Sequence, residues 1–250
     1  MRHSVKLTLA VLLSVQLSFG AIAHDADSAS SAQTTSTSYN WSHTITGSNV
    51  YLWVGVNIRG TSCTVSGITW NSSENLALVT SAAATNGSRS VESWGLVNPT
   101  TGTHTVAVTL TGCTPTASMG CATSFTGVVQ SSSTEAGNGA TASSSSGPEQ
   151  VTITSSTDNT FMVVNGITGS FTTSTAANSG QTQTQDITLS GSFHASCGYT
   201  TAAVTPAGAV SMGFALTGPS SNDSWAVSGF AIKPATASTG GNSSRSWVME

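Results

Sequence analysis

The sequence predicts an all-β protein: a single antiparallel two-sheet β-sandwich of jelly-roll type, with roughly ten short strands. Ser and Thr make up 84 of the 250 residues, while only 6% of the residues are charged. Apolar and polar residues alternate over several short segments, as expected where one face of a strand is buried. Turn-forming pairs such as Asn-Gly and Gly-Pro separate these segments.

The first segment, residues 1–23, has the features of a secretory signal peptide. Arg2 and Lys6 give it a positive start, residues 7–17 are mostly apolar, and Ala21-Ile22-Ala23 matches an A-x-A cleavage site. The apolar run is shorter than the about 20 residues that a membrane-spanning helix needs. We therefore expect an exported protein, either secreted, at the cell surface or in the periplasm, with no membrane span in its mature form.

Removal of this segment would leave four basic residues against ten acidic ones. Proteins that bind nucleic acid carry basic patches, and anionic lipids attract basic segments. The mature chain is therefore expected to bind neither.

Composition divides the rest of the chain into three parts. Residues 24–38 are rich in Ser, Thr and Ala and lack periodicity, which predicts a flexible leader. Residues 39–234 are predicted to form the β-sandwich domain, with a long loop or linker at residues 131–147. Residues 235–250 are predicted to form a flexible C-terminal tail.

Alternation with a period of two predicts the strands of the sandwich. In residues 52–58 and 103–111, branched apolar residues occupy every second position, which places them on one face of a strand. Shorter runs of the same kind continue the pattern at residues 151–153, 161–163, 187–189 and 210–216. No segment after the signal peptide shows the period of 3.6 residues that is typical of a helix.

The chain has four cysteines, an even number that predicts two disulfides in an exported protein. Cys113 and Cys121 flank a turn-rich stretch, so they are predicted to close a hairpin. Cys63 and Cys197 would then form the second, long-range bridge. There is no C-x-x-C spacing and no neighbouring group of histidines, so no metal site is predicted.

Four tryptophans lie within strand-like segments: Trp53, Trp70, Trp94 and Trp225. One interpretation places them in the core of the sandwich. The other makes them an exposed aromatic platform for sugar rings, which would require coplanar, solvent-facing side chains.

Four segments taken together resemble a β-sandwich domain of exported bacterial and phage structural proteins, most of them uncharacterised. They are residues 65–71, residues 90–108 (SVESWGLVNPTTGTHTVAV), residues 125–130 and residues 225–234 (WAVSGFAIKP). The resemblance runs in one unbroken order from about residue 40 to residue 234. It implies a sandwich fold and a surface location, and it carries no catalytic residues. The chain departs from the pattern at Val129, where an acidic residue is expected.

Few residues point to chemistry. The histidines are not at metal-ligand spacing, no G-x-S-x-G motif is present, and no cofactor is predicted. The acidic residues are scattered. Glu92, on the same strand face as Trp94, is the strongest candidate for a catalytic acid.

The sequence therefore favours an exported, non-enzymatic structural or adhesive surface module, with glycans or other surface proteins as partners. A carbohydrate-binding module that uses exposed tryptophans is one alternative. A secreted hydrolase is another, and would need a second acid about 5–9 Å from Glu92. A surface- or ice-binding protein is a further alternative, based on Thr103-His104-Thr105 and Thr182-Gln183-Thr184. The oligomeric state is left open.

Overall fold

The structure is a computed structural model that describes residues 21–145, 148–169, 173–176, 178–190, 193–217 and 223–236. Its regular structure in these residues is entirely β, with 17 strands in four antiparallel sheets. The predicted all-β antiparallel sandwich class is confirmed, but the strands and sheets outnumber the single pair of sheets expected. Most of the predicted signal peptide (residues 1–20) and of the C-terminal tail (residues 237–250) lie outside the described residues.

The first half of the chain forms two sheets. Inner sheet 1 has the order β1-β9-β3-β7-β6, and outer sheet 1 has the order β2-β8-β4-β5. The strands are β1 (Ala23–Ala29), β2 (Ser38–Ile45), β3 (Tyr51–Arg59), β4 (Thr64–Trp70), β5 (Glu74–Asn75), β6 (Ala77–Asn86), β7 (Arg89–Val97), β8 (Gly102–Thr111) and β9 (Ala117–Thr126).

The second half also forms two sheets. Inner sheet 2 has the order β10-β17-β12-β15-β14, and outer sheet 2 has the order β11-β16-β13. The strands are β10 (Thr134–Ser145), β11 (Glu149–Thr154), β12 (Phe161–Thr168), β13 (Thr173–Ala176), β14 (Gln181–Thr188), β15 (His194–Thr200), β16 (Ala209–Thr217) and β17 (Asp223–Ile232).

The two halves have the same topology. If β1 to β4 are matched with β10 to β13, and β6 to β9 with β14 to β17, both sheet orders of the first half become those of the second. Among the strands of the described residues, only β5 has no counterpart. The starts of β3 and β12 also agree, since each follows an asparagine with positive φ, Asn49 (52°) and Asn159 (61°). Asparagine tolerates this left-handed conformation better than most residues. The chain is therefore an internal structural duplication.

The four sheets stack in the order outer 1, inner 1, inner 2, outer 2, with an apolar core in each of the three gaps. Alternation along β3 shows how one strand serves two cores. Leu52 and Val54 pack towards outer sheet 1, whereas Tyr51 and Trp53 pack towards inner sheet 2. Because the inner sheets are covered on both faces, their central strands are buried along almost their whole length.

The predicted flexible leader at residues 24–38 is wrong over its first part. Ala23–Ala29 is β1, an edge strand that pairs with β9. Its acidic side chains hold it in place: Asp25 accepts a hydrogen bond from Ser124 Oγ and Asp27 one from Thr123 Oγ1, both at 2.7 Å. The predicted linker at residues 131–147 likewise contains a strand, β10, which pairs with β17. In both segments, hydrogen bonding to the neighbouring strand replaces the apolar alternation that the sequence lacks.

The predicted disulfide pairing is wrong as well. The bridges are Cys63–Cys113 and Cys121–Cys197, with Cα–Cα distances of 5.0 and 6.6 Å. Cys113 follows β8 and Cys121 lies within β9, but these strands belong to different sheets and form no hairpin. Cys63 reaches Cys113 because β4 is the strand that pairs with β8. The second bridge joins inner sheet 1 to inner sheet 2.

At the centre of the interface between the inner sheets, residues at equivalent positions of the two halves face each other. Gly55 of β3 and Asn165 of β12 occupy equivalent positions, since Tyr51 and Phe161 begin these strands. The neighbouring strands supply further equivalent residues in register with them. These are Ser93 of β7 with Cys197 of β15, and Cys121 of β9 with Ser228 of β17.

Two contacts cross the interface between these residues. Cys121 and Cys197 form the disulfide, and Ser93 and Ser228 are held by hydrogen bonds to Asn165. Ser93 Oγ and Ser228 Oγ both donate to Asn165 Oδ1 at 2.9 Å. Asn165 Nδ2 donates in turn to Asn57 Oδ1 at 3.1 Å. Gly55 leaves room for this group, because a Cβ at Gly55 would lie 2.9 Å from Asn165 Cβ. A covalent bridge and a buried amide therefore fix the two halves together.

Removing the bridge between the halves should be costly. The double variant Cys121→Ala/Cys197→Ala opens a loop with a sequence separation of 76 residues. Chain entropy then predicts a loss of about 4 kcal/mol in the free energy of unfolding, measured by denaturant titration.

Peptide mapping of the oxidised wild type should recover Cys63–Cys113 and Cys121–Cys197. Recovery of Cys113–Cys121 would contradict the fold.

The buried amide should matter to a comparable degree. Asn165→Ala leaves the hydroxyls of Ser93 and Ser228 without their acceptor, and each such buried group costs about 1–3 kcal/mol. Asn138→Ala is the matched control, because Asn138 lies on an exposed edge strand and its loss should change stability by less than about 0.5 kcal/mol. Equal denaturation midpoints for the two variants would show that the amide does not hold the interface.

Candidate functional site

The four candidate tryptophans do not form a platform. Trp53 is fully buried between the inner sheets, Trp70 and Trp94 lie between inner and outer sheet 1, and Trp225 lies between inner and outer sheet 2. None of the four is more than 9% exposed. The core interpretation is therefore correct, and a sugar-binding strip made of these side chains is excluded. They pack the gaps between sheets, where large apolar side chains contribute most.

Glu92 is held inside the first half by two donors. A β-bulge in β4 frees the Val65 backbone N–H, which donates to Glu92 Oε1 at 3.0 Å. Trp94 Nε1 donates to Glu92 Oε2 at 3.1 Å. Burial raises the pKa of this carboxyl, and the two hydrogen bonds only partly oppose that shift. Glu92 therefore satisfies a strand irregularity and a tryptophan, with both of its oxygens engaged inside the protein.

A chain of hydrogen bonds that no sequence pattern indicates joins β1, β2 and β9. Trp41 Nε1 donates to Ser28 Oγ at 3.0 Å, and Ser28 Oγ lies 2.8 Å from His43 Nδ1. His43 Nε2 lies 3.2 Å from Ser124 Oγ, which donates to Asp25. The direction of the chain assigns the proton of His43 to Nε2.

The electrostatics of this hydrogen-bonded group favour a structural role for His43, Asp25 and Ser124. Burial lowers the pKa of His43 to about 4, against the opposing effect of Asp25. Burial alone would raise the pKa of Asp25, but hydrogen bonds from Thr46 and Ser124 bring it below its usual value. The histidine is thus neutral at neutral pH. Ser124 is fully buried, and its hydroxyl donates a hydrogen bond to the Asp25 carboxylate. A substrate therefore cannot reach Ser124 as a nucleophile. Only spatial proximity reveals this group, because its members are up to 99 residues apart.

Glu149 is buried to 1% exposure, the lowest value of any acid among the described side chains of the second half. Its carboxyl lies against Gly166 of β12, where a side chain would collide with it. Burial raises its pKa well above the usual value, against the opposing effect of a hydrogen bond from the Ile167 backbone. Oε1 of Glu149 has no hydrogen-bond partner. Burial therefore favours the protonated form of Glu149.

The outer surface of outer sheet 1 is an extended uncharged face, which we call the hydroxyl face. Ten of its side chains are exposed and two are half-buried, and all are Ser, Thr, Asn or Ala. They are Ser38, Asn40, Ser42 and Thr44 on β2; Thr103, Thr105, Ala107, Thr109 and Thr111 on β8; and Thr64, Ser66 and Thr69 on β4.

Strand register places hydroxyls of this face side by side. Thr44 lies opposite Thr103, with their Oγ1 atoms 2.8 Å apart, and Ser42 lies opposite Thr105. Along each strand, outward side chains repeat at about 6.7 Å, and neighbouring strands are about 4.8 Å apart. The second threonine motif, Thr182-Gln183-Thr184, lies on β14 of inner sheet 2 and does not extend this array.

Comparisons with family models, with curated proteins and with solved structures found no match to the chain. Across the described residues, no three His, Cys, Asp or Glu side chains are grouped so that they could hold a metal ion. Over the same part of the chain, no helix is long and apolar enough to cross a membrane.

The buried acid predicts a pH dependence of stability. Because the pKa of Glu149 is raised by folding, the folded chain keeps a proton that the unfolded chain loses above about pH 4.3. This contribution is complete below that pH and is lost as the pH rises towards the folded pKa. Glu149→Gln should remove this loss, so its free energy of unfolding should fall less between pH 4 and pH 8 than that of the wild type.

Glu135→Gln is the control with the opposite sign. Hydrogen bonds from Ser156 and Thr157 lower the pKa of Glu135 in spite of its partial burial. Its contribution is therefore present above the unfolded pKa and disappears in acid. Identical pH profiles for Glu149→Gln and the wild type would show that Glu149 is charged in the fold.

Proposed function

We propose that this protein is an exported, non-enzymatic surface module that adheres to neutral, hydroxyl-rich polymers through its hydroxyl face. The observation that carries the proposal is the continuous run of twelve uncharged, mostly hydroxylated side chains across three paired strands. A solvent-facing sheet surface of an ordinary protein includes charged residues, which improve solubility and block association. This face has none.

Its chemistry favours a neutral partner. An anionic partner would be met by Lys or Arg, and a cationic partner by Asp or Glu. Threonine instead offers a hydroxyl for hydrogen bonding and a methyl group for packing, which suits the hydroxyls and ring carbons of a polysaccharide. A rigid sheet also loses little conformational entropy when it binds, which favours weak contacts repeated over a large area.

Export is supported by the cysteines as well as by the signal-like segment. All four cysteines form disulfides, which persist in oxidising compartments outside the cytosol. Carbohydrate binding through the four tryptophans is not supported, because those side chains are buried. The hydrolase alternative is less well supported, because Glu92 and Ser124 are both buried and held by internal hydrogen bonds.

Co-sedimentation with insoluble neutral polysaccharides, such as cellulose and chitin, tests the proposal. The mature protein should pellet with at least one neutral polymer and should stay in solution with an anionic one. Thr105→Lys/Thr109→Lys places two charges at the centre of the hydroxyl face, which should abolish pelleting because the charges must be desolvated on contact. Both side chains are exposed, so the fold should be preserved.

Thr61→Lys is the matched control, because this exposed threonine lies in the turn between β3 and β4, outside the face. It should pellet like the wild type, and all variants should share one melting temperature. Equal binding by the double lysine variant and by the control would place adhesion elsewhere on the molecule.

A further inference from the structure

The chain enters the fold before β1, at residues that the sequence assigns to the signal peptide. Ala21-Ile22-Ala23 matches an A-x-A cleavage site, and a cut after Ala23 would make His24 the first residue of the exported protein. In the structure, each of the three residues of this site contacts the folded domain. These contacts bear on where the export signal is removed.

Ile22 is part of the apolar core between the two inner sheets. Its side chain is 5% exposed and belongs to the same cluster of buried residues as Phe125 and Val128. Burial of an isoleucine stabilises a fold because it removes apolar surface from water. A cut after Ala23 would detach Ile22 and leave its space in the core unfilled, and cavities of this kind are costly.

The backbone on either side of Ile22 is fitted to inner sheet 1 as well. Ala23 is the first residue of β1 and pairs with Thr126 of β9. Gly127, the residue after β9, has a φ of 71°, and a side chain there would collide with the Ala21 carbonyl oxygen. The glycine therefore leaves room for the backbone of residues 21–22, which a chain that begins at His24 would lack.

The second half shows the same entry to its first strand. By strand register, the counterpart of Ala23 in this half is Ser133, which precedes β10. Ser133 is 3% exposed, and its carbonyl accepts a hydrogen bond from the Lys233 N–H at 2.8 Å. The shared architecture therefore packs the residue before the strand, and residues 21–23 give the first half what the continuous chain gives the second.

A second cleavage pattern lies three residues upstream of the A-x-A site. Ser18-Phe19-Gly20 has small residues at the two positions that signal peptidase recognises, and it directly follows the apolar run of residues 7–17. We propose that the export signal is cut after Gly20, so that the exported protein begins at Ala21 and keeps Ile22 in its core. Signal peptidase would hydrolyse the Gly20–Ala21 peptide bond, with water giving Gly20 a carboxylate and Ala21 a free amino group. This cut presupposes the proposed export of the chain.

Intact mass and N-terminal sequencing test the proposal on the full precursor, expressed with its own leader in a bacterial host and purified from the exported fraction. The exported chain should begin at Ala21. A chain that begins at His24 would overturn the proposal and leave export intact. A chain that keeps Met1 and stays in the cytosol would overturn export, and the proposed cut with it.

Two neighbouring substitutions by the same residue separate the two cleavage sites. Ala23→Asn removes a small residue that the A-x-A site needs, so the proposed cut after Gly20 should continue unchanged. Ile22→Asn changes neither pattern of small residues, but it places an amide in the apolar core. The exported Ile22→Asn protein should melt at least about 5 °C below the wild type. The matched Ala23→Asn protein, altered at an exposed position, should melt within about 2 °C of it.

Blocked or displaced processing of Ala23→Asn would overturn the proposal. So would an exported Ile22→Asn protein that melts like the wild type, because Ile22 would then be absent from the mature chain. If the Ile22→Asn protein fails to accumulate, the processing of Ala23→Asn still decides between the two sites.

Discussion

The structure depends on the packing of the two inner sheets against each other. Each inner sheet is covered on its other face by an outer sheet, so side chains on both faces of its central strands are buried. Burial of two faces leaves almost no position for a charged residue, since an unpaired charge there is costly. This requirement accounts for the small number of charged residues in the central strands of the inner sheets. It also explains why the acids that do enter the interior, such as Glu92 and Glu149, have raised pKa values.

At the centre of that packing, equivalent positions of the two halves hold different residues. A perfectly symmetric interface would place identical residues face to face at Gly55 and Asn165, where there is room for only one side chain. The chain keeps the asparagine on one strand and a glycine on the other. The same asymmetry appears in the neighbouring strands. Cys121 and Cys197 form a disulfide across the interface, whereas Ser93 and Ser228 both donate hydrogen bonds to Asn165. The duplication is therefore preserved in topology and lost in sequence.

This loss explains which features the sequence could predict. Alternation in β3 and β8 identifies strands directly, because each has a regular change of environment from one residue to the next. β1 and β10 have no such signal, since polar side chains and backbone hydrogen bonds hold them at sheet edges. The duplication is not detectable from residues such as Cys121 and Ser228, which share a position but no chemistry. Without it, the number of sheets and the pairing of the cysteines could not be derived.

The candidate sites were predictable to a similar extent. The core position of the tryptophans follows from their strand-like surroundings, whereas the hydrogen-bonded chain through His43 needs three strands to meet. The hydroxyl face needs the register of β2, β8 and β4, because the threonines of one strand alone form a line and not a surface. The sequence showed the threonine alternation in β8 but not the neighbours that extend it.

The duplication also indicates where function is to be sought. Residues that both halves need for packing have counterparts of similar size, such as Tyr51 and Phe161. Where the two halves differ, packing can supply the reason. Gly95 stands in β7 where β15 has Tyr199, because a side chain at Gly95 would collide with the Tyr51 hydroxyl. Outer sheet 2 keeps the uncharged character of the hydroxyl face, with Thr152 and Ser211 exposed and in register, so that character belongs to both halves.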